Sequence, residues 1–299
     1  FIFKYKRFYY NMSEETINKY LYLQSGIGNQ LIPLISMIRI CDKYNFKLHV
    51  ISNKIMAYNH TNLNDKTFNI HNIFNINYDI EISSTIPNNV VKCDCNWNIE
   101  KNIITENDKN NTLYYNVCHV FGTLNDKISD YQPYPRKKFQ INGFLQELKM
   151  YAKFITPVDI INNKINNYIN GLKCKVLGLH IRTLDGGHID LYDQNKLFSF
   201  IEEFLKDNKD WKIYVATDNN VVENTLIDKY GESIIKLDDP FGNTYNDKFS
   251  DNSYGLMNAV YEIYVLSKLD KFVGSAGSSF SFLSFLLSNN SSLDFWNQL

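Results

Sequence analysis

Four short segments lie at the carboxyl ends of predicted apolar strands and carry polar or glycine-rich residues, and two of them have residue types that suit the binding of an anion. They are the segments 25–30, 178–187, 214–218 and 274–281. Small residues that open a helix present backbone N–H groups and the positive end of the helix dipole, which together make a phosphate site. An arginine just past a buried strand adds a guanidinium fork that can bind a diphosphate through two parallel hydrogen bonds.

The segment 178–187 carries the strongest signal. His180 and Arg182 alternate along the predicted strand and therefore lie on the same side of it. Arg182 is a costly residue at this position unless it meets an anion. Asp185 follows closely, so the alternative hypothesis is that Arg182 and Asp185 pair only with each other.

Two other segments are weaker when taken one at a time. Gly26, Gly28 and Asn29 lie in a turn that lacks the full dinucleotide-binding glycine pattern, so a purely structural turn is the alternative. Asp218 ends a predicted strand, where it suits either a ligand contact or the cap of the next helix.

The serines of the segment 274–281 have two interpretations. Ser275, Ser278 and Ser279 suit contacts with phosphate oxygens, whereas the alternative is a plain serine N-cap. No Walker A loop or nucleophile elbow accompanies them. Cys93-Asp-Cys95 has no second Cys/His pair nearby, so the sequence predicts no zinc site.

The elements that would position these residues alternate between strand and helix. A strand–turn–helix–strand unit is predicted over residues 20–51, and a longer run of alternating strands and helices follows Pro157. Residues 53–129 are interpreted as loops, short helices and one or two strands. We therefore expect two Rossmann-like α/β domains, residues 1–155 and 156–299, which face each other across a cleft.

Composition bounds the remaining function classes. The chain of 299 residues has 31 Lys and Arg against 32 Asp and Glu, so nonspecific electrostatic binding to nucleic acid or anionic lipid is not expected. No apolar run approaches the roughly 18 residues of a membrane span. We interpret Phe1–Tyr10 as an extension ahead of a start at Met12, and the alternative is the remnant of a trimmed anchor. The expected location is the cytoplasm.

Taken together, the order and spacing of these segments resemble those of GDP-fucose-dependent fucosyltransferases of the GT-B type. Gly26-Ile-Gly-Asn-Gln-Leu31 and Gly143-Phe-Leu-Gln146 resemble two segments of the α1,2-fucosyltransferases. His180-Ile-Arg182 with Asp185 resembles the His-x-Arg-Arg-x-Asp motif shared with the α1,6-fucosyltransferases. The segments Ile213 to Asp218, Ser250 to Ser253, Glu262 to Ser267 with Asp270, and Gly274 to Ser281 follow in the order of the α1,6 group.

This resemblance implies a GT-B-like fold in which the second domain binds most of the GDP. The implied reaction is fucose transfer with inversion, without a metal or other cofactor. Arg182 would hold the β-phosphate and stabilise the leaving GDP. His180 and Glu262 match positions that approach the guanine, and Ser278 and Ser279 would meet the phosphates. The implied GDP-sugar contacts are Gly26, Gly28, Asn29, His180, Arg182, Asp185, Asp218, Glu262, Ser275, Ser278 and Ser279.

The chain departs from the family pattern at three positions. Thr183 stands where the motif has a second Arg, Glu262 where the family has Asp, and Asp190 matches the catalytic base of the α1,6 group only weakly. We predict a fucosyltransferase that uses GDP-fucose and a glycan or other hydroxyl acceptor, with Arg182 and Asp190 as catalytic residues. Two alternatives stay open: a transferase of this fold with another sugar nucleotide, and a nucleotide-binding module that has lost catalysis.

Overall fold

The computed structural model describes residues 17–23, 26–51, 70–83, 85–88, 90–94, 112–115, 139–140, 143–183, 192–235, 241 and 253–298. Within these ranges the chain forms two mainly parallel sheets and one antiparallel strand pair, with seven α-helices. The helices are α1 (Ile27–Tyr44), α2 (Gly143–Ala152), α3 (Asp159–Gly171), α4 (Gln194–Asp207), α5 (Asn220–Tyr230), α6 (Ser253–Lys268) and α7 (Ser279–Leu287).

The first sheet is parallel throughout. Its strands are β1 (Asn18–Tyr22), β2 (Lys47–Ile51), β4 (Ile80–Ser83), β5 (Val91–Asp94) and β6 (Thr112–Tyr115), and a separate antiparallel pair consists of β3 (Phe74–Ile76) and β8 (Ile155–Pro157). The strand order is β4-β2-β1-β6-β5, so the order reverses next to β1. Ligands of open parallel sheets bind where the order reverses, and here that point lies at the start of α1.

The second sheet is also mainly parallel. Its strands are β7 (Phe139–Gln140), β9 (Val176–Ile181), β10 (Lys212–Thr217), β11 (Ile234–Ile235), β12 (Lys271–Gly274) and β13 (Ser292–Phe295). The order is β11-β10-β9-β12-β13-β7, with every pair parallel except the edge pair β13 and β7. The order reverses between β9 and β12, which places residues after these two strands at the switch point.

Strand β9 lies at the centre of the second sheet, and all six of its residues are buried. Parallel strands covered on both faces read as continuous apolar runs, which is why Val-Leu-Gly-Leu precedes His180. Gly178 lets helix α6 approach closely, because a Cβ there would lie 2.8 Å from Leu266 Cδ2. The strand is therefore buried in the sheet and packed closely against α6.

Helix α1 joins the two halves of the molecule, of which one is built on the first sheet and the other on the second sheet. Its sequence spacing predicts a single apolar face, yet the helix is buried on nearly all sides, Ser36 and Arg39 included. Arg39 lies over the Phe144 ring and pairs with Glu147 on α2 at 2.9 Å. One hydrophobic core runs from β1 and α1 to α2, α6 and α7, so the halves share their interior.

The segment that precedes the predicted boundary at residue 155 packs on the second sheet. Strand β7 pairs with β13, and Lys149 on α2 donates to the backbone oxygens of Phe285 (2.6 Å) and Ser288 (2.7 Å) at the end of α7. Burial and the nearby Lys153 lower the pKa of Lys149 to about 8.

Among the helices described, none has the length and apolarity needed to cross a bilayer.

Candidate active site

Arg182 follows β9 directly and is held at both its backbone and its side chain. Its backbone N–H donates to Ser275 Oγ at 2.9 Å, and its Nε lies 3.2 Å from Asp218 Oδ2. The side chains of Arg182 and Asp218 are 20% and 10% exposed, so water screens the pair only partly. The guanidinium thus has a defined position at the switch point of the second sheet.

Asp218, at the end of β10, contacts the residue after Arg182 as well. Its Oδ1 accepts the backbone N–H of Thr183 at 3.0 Å and the Thr183 hydroxyl at 3.2 Å. Asn219 Nδ2 in turn donates to Thr183 Oγ1 at 3.1 Å. The N-cap of α5 is Asn219, whose Oδ1 accepts from Val221 N at 3.0 Å, so the structure corrects the alternative that Asp218 caps this helix.

The loop after β12 is tied to β9 by a second set of hydrogen bonds. Ser281 Oγ accepts the backbone N–H of Ser275 at 2.9 Å and lies 2.7 Å from His180 Nδ1. The His180 ring also stacks on Phe280, with 4.6 Å between ring centroids. Gly274 permits this arrangement, because a Cβ there would lie 2.7 Å from Ser281 Oγ. His180 is therefore buried against the start of α7.

Trp296 completes this network from the C-terminal end of the chain. Its indole Nε1 donates to His180 O and to Ser275 Oγ, both at 3.1 Å, while Ser275 Oγ donates to His180 O at 3.0 Å. No sequence pattern singles out Trp296 or Asn219, and Ser281 closes the serine segment without a predicted role of its own. A buried tryptophan needs an acceptor for its N–H, but nothing in the sequence indicates which one.

The N-termini of α1 and α7, which both carry predicted GDP-sugar contacts, meet each other. A Cβ built at Gly28 in α1 would lie 2.7 Å from Ser279 Oγ and 2.9 Å from the Ser279 carbonyl carbon. Ser278 is the N-cap of α7 and accepts from Ser281 N at 3.5 Å, which is the contact that the plain N-cap interpretation predicts. Gly28 is required here because the first turns of α1 and α7 touch.

The start of α1 presents backbone donors at the same place. Gly26 is the N-cap residue in an extended conformation, and its carbonyl accepts from Gln30 N at 3.1 Å. Asn29 is half-buried in the same turn, which contains no acidic residue. The helix dipole therefore adds positive potential beside the α7 terminus.

The remaining sequence-predicted residues are placed as follows. Glu262 is half-buried on α6. Asp185 and Asp190 lie outside the described residues, so their predicted roles stay predictions. Throughout the described ranges, no three His, Cys, Asp or Glu side chains are grouped so that they could hold a metal ion.

Comparisons with known proteins give one clear result. No family model and no curated protein matches the sequence. Among solved structures, NodZ α1,6-fucosyltransferase co-crystallised with GDP has a TM-score of 0.58 at 12% identity, over 92% of this chain and 93% of that chain. A mutant of Arabidopsis thaliana FUT1 in complex with GDP gives 0.60 at 13% identity, over 93% of this chain and 69% of that one.

A third structure, POFUT1 in complex with GDP, gives a TM-score of 0.54 at 11% identity, over 95% of this chain and 99% of that chain. All three cover nearly the whole of the present chain, and thus both sheets. The comparisons confirm the predicted fold class: the chain has the GT-B-like α/β fold of the GDP-fucose-dependent fucosyltransferases.

Proposed function

We propose that this protein is a glycosyltransferase that uses GDP-fucose as its donor. The observation that carries the proposal is the placement of Arg182 at the switch point of the second sheet, fixed by Ser275 and Asp218. The adjoining N-termini of α1 and α7 add about half a positive charge each. A diphosphate is the ligand that such a set of donors suits best.

In the proposed reaction the acceptor hydroxyl attacks the anomeric carbon of fucose from the face opposite the diphosphate. The new C–O bond forms as the bond between that carbon and the β-phosphate oxygen breaks, and its electron pair leaves with GDP. A base takes the hydroxyl proton, and Asp190 is our proposal for this base. Arg182 stabilises the negative charge that develops on the β-phosphate.

We propose that guanine is recognised by His180 and Glu262. A carboxylate can accept hydrogen bonds from both N1–H and N2–H of guanine, which neither adenine nor uracil offers as a pair. The contacts of His180 with Ser281 and Phe280 hold its ring in one orientation before a nucleotide binds. These residues are the basis for expecting GDP rather than another nucleotide.

The experiment is a thermal-shift comparison of GDP, GDP-fucose, UDP, ADP and NAD, followed by assays of GDP-fucose hydrolysis and transfer. A ligand at 100 times its Kd stabilises the native state by about 2.7 kcal/mol, so discrimination among nucleotides is measurable. Equal or greater stabilisation by UDP or NAD contradicts the GDP assignment. GDP binding without hydrolysis or transfer favours the nucleotide-binding module that lacks catalysis.

We also expect transfer to need no divalent metal, because Arg182 and the two helix termini supply the positive charge that a metal would otherwise provide. The transfer rate should be unchanged in EDTA. A rate that EDTA abolishes and Mn²⁺ restores would show that the charge on the leaving diphosphate is neutralised in another way.

A further inference from the structure

We infer that Asp218 and Thr183 act together as positioning residues for Arg182, an inference that rests on the proposed role of Arg182 in binding the diphosphate. The sequence resemblance assigns Asp218 to the GDP-sugar and leaves Thr183 as a missing phosphate contact. Their geometry indicates a different role. Asp218 and Thr183 set the orientation of Arg182, which is the one arginine of the two-arginine motif that this chain retains.

The two oxygens of Asp218 have different partners. Oδ2 engages Arg182 Nε at 3.2 Å, while Oδ1 accepts both the N–H (3.0 Å) and the hydroxyl (3.2 Å) of Thr183. Three donors on two consecutive residues therefore fix the plane of the carboxylate. If the carboxylate rotates to follow a displaced guanidinium, it must break its bonds to Thr183.

The orientation of the Thr183 hydroxyl is fixed by two hydrogen bonds. Its oxygen accepts from Asn219 Nδ2 at 3.1 Å, and its hydrogen is donated to Asp218 Oδ1. Thr183 is only 4% exposed, so these bonds form away from water. An arginine in place of Thr183 would remove this hydroxyl, and the arrangement is thus an alternative to the two-arginine motif.

The arrangement also explains how a carboxylate can lie beside a diphosphate site. A guanidinium has five N–H donors on different edges, and Asp218 engages the edge that carries Nε. The diphosphate would be bound by the donors at the Nη end, which keeps the two anions on different edges of one cation. Asp218 then acts through Arg182 and does not touch the nucleotide.

A double-mutant cycle on GDP affinity tests this inference. We expect Arg182→Ala and Asp218→Asn each to weaken GDP binding by about 10- to 100-fold, as for the loss of a charged hydrogen bond. Because Asp218 acts through Arg182, the double variant should bind GDP no more weakly than Arg182→Ala alone. If the two losses of GDP affinity multiply, so that the double variant binds GDP more weakly than Arg182→Ala alone, the positioning role is overturned.

Thr183 supplies a second test that does not depend on Asp218 variants folding. Thr183→Val removes the hydroxyl at nearly constant volume and should weaken GDP binding, whereas Thr183→Ser should restore it. Equal GDP affinity of the Val variant and the wild type would overturn the role of the hydroxyl. The rate of GDP-fucose hydrolysis should follow the same order.

The matched control is Asp270→Asn. Asp270 Oδ2 accepts from Val176 N at 2.9 Å, at the opposite end of the same strand β9. This variant should lower the melting temperature at most and leave GDP affinity unchanged. If Arg182→Ala itself binds GDP normally, the proposed function fails. If Arg182→Ala weakens binding and Asp218→Asn acts independently of it, only the positioning inference fails.

Discussion

At the scale of single residues, a guanidinium is effective against a diphosphate only if its orientation is set before the ligand arrives. Arg182 meets this condition because its neighbours fix it at two points: Ser275 holds the backbone N–H and Asp218 holds Nε. A planar guanidinium fork can bind a carboxylate and a ligand at the same time, whereas a lysine ammonium on a flexible stem cannot hold both in fixed geometry.

Arg182→Ala should therefore lower the transfer rate by about 10²–10³-fold, the usual effect of losing one preorganised donor. Arg182→Lys should recover little of this loss. Both variants should stay folded, with a fall in melting temperature that is small beside the loss of rate, because Asp218 keeps its two hydrogen bonds from Thr183. Steady-state kinetics and thermal unfolding measured together check this. A Lys variant with near-normal rates would show that charge alone suffices.

Ser281 is the second informative residue, because one hydroxyl joins two elements. Ser281→Ala leaves His180 Nδ1 and Ser275 N without the partner that each has in the buried network, which should cost about 1–3 kcal/mol of unfolding free energy. Ser284→Ala is the control on the same helix: it is equally buried, and its Oγ bonds only to Phe280 O one turn earlier. Equal effects of the two substitutions in urea unfolding would contradict this role.

At the scale of elements, the contact between α1 and α7 decides whether their N-termini can act on one ligand. Gly28→Ala places a methyl group against the backbone of Ser279, so one helix must shift away from the other. We expect lower stability and weaker GDP binding, measured by urea unfolding and calorimetry. Gly143→Ala at the start of α2 is the control, because among the described residues outside its own helix turn no atom lies within 4 Å of the added methyl. A Gly28→Ala protein that binds GDP normally would argue against a shared site.

The elements of the second half were largely predictable from local pattern, whereas residues 53–129, interpreted as loops, short helices and one or two strands, contain the four strands β3, β4, β5 and β6. The alternation of strand and helix from Pro157 onward is confirmed, since each buried strand reads as an apolar run and the polar turns follow it. Arg182 and the serine loop were found because their types are unusual just past a strand. The hydrogen bonds between the residues around them were not predictable. The bond between Thr183 and Asp218 spans 35 positions of the chain, and the bond between Trp296 and His180 spans 116. Such pairs depend on strand order, which local periodicity does not encode.

At the scale of the whole molecule, the two sheets share one interior. Helix α1 follows β1 of the first sheet, yet its buried side chains belong to the same core as those of α6 and α7. When two halves share so much apolar contact, opening one exposes the other, so the chain should unfold in a single transition. A nucleotide bound between the N-termini of α1 and α7 would then stabilise both halves equally.

Cys41 on α1 offers a probe of this coupling. It is buried, and burial raises the pKa of its thiol to about 12, so the native thiol is both shielded and protonated at neutral pH. Its alkylation, located by peptide mass spectrometry, therefore reports the opening of α1. In a Trp97→Phe variant, fluorescence comes from Trp211 and Trp296, which belong to the second half.

We expect the urea midpoint for Cys41 alkylation to coincide with the midpoint for the fluorescence change, and GDP to raise both by the same amount. The physical reason is that α1 cannot leave the shared core without exposing the apolar faces of α6 and α7. If Cys41 reacted at a lower urea concentration than the fluorescence change, the first half would open on its own. GDP would then raise only the midpoint of the half that binds it, and the contact of Gly28 with Ser279 would not couple the two halves.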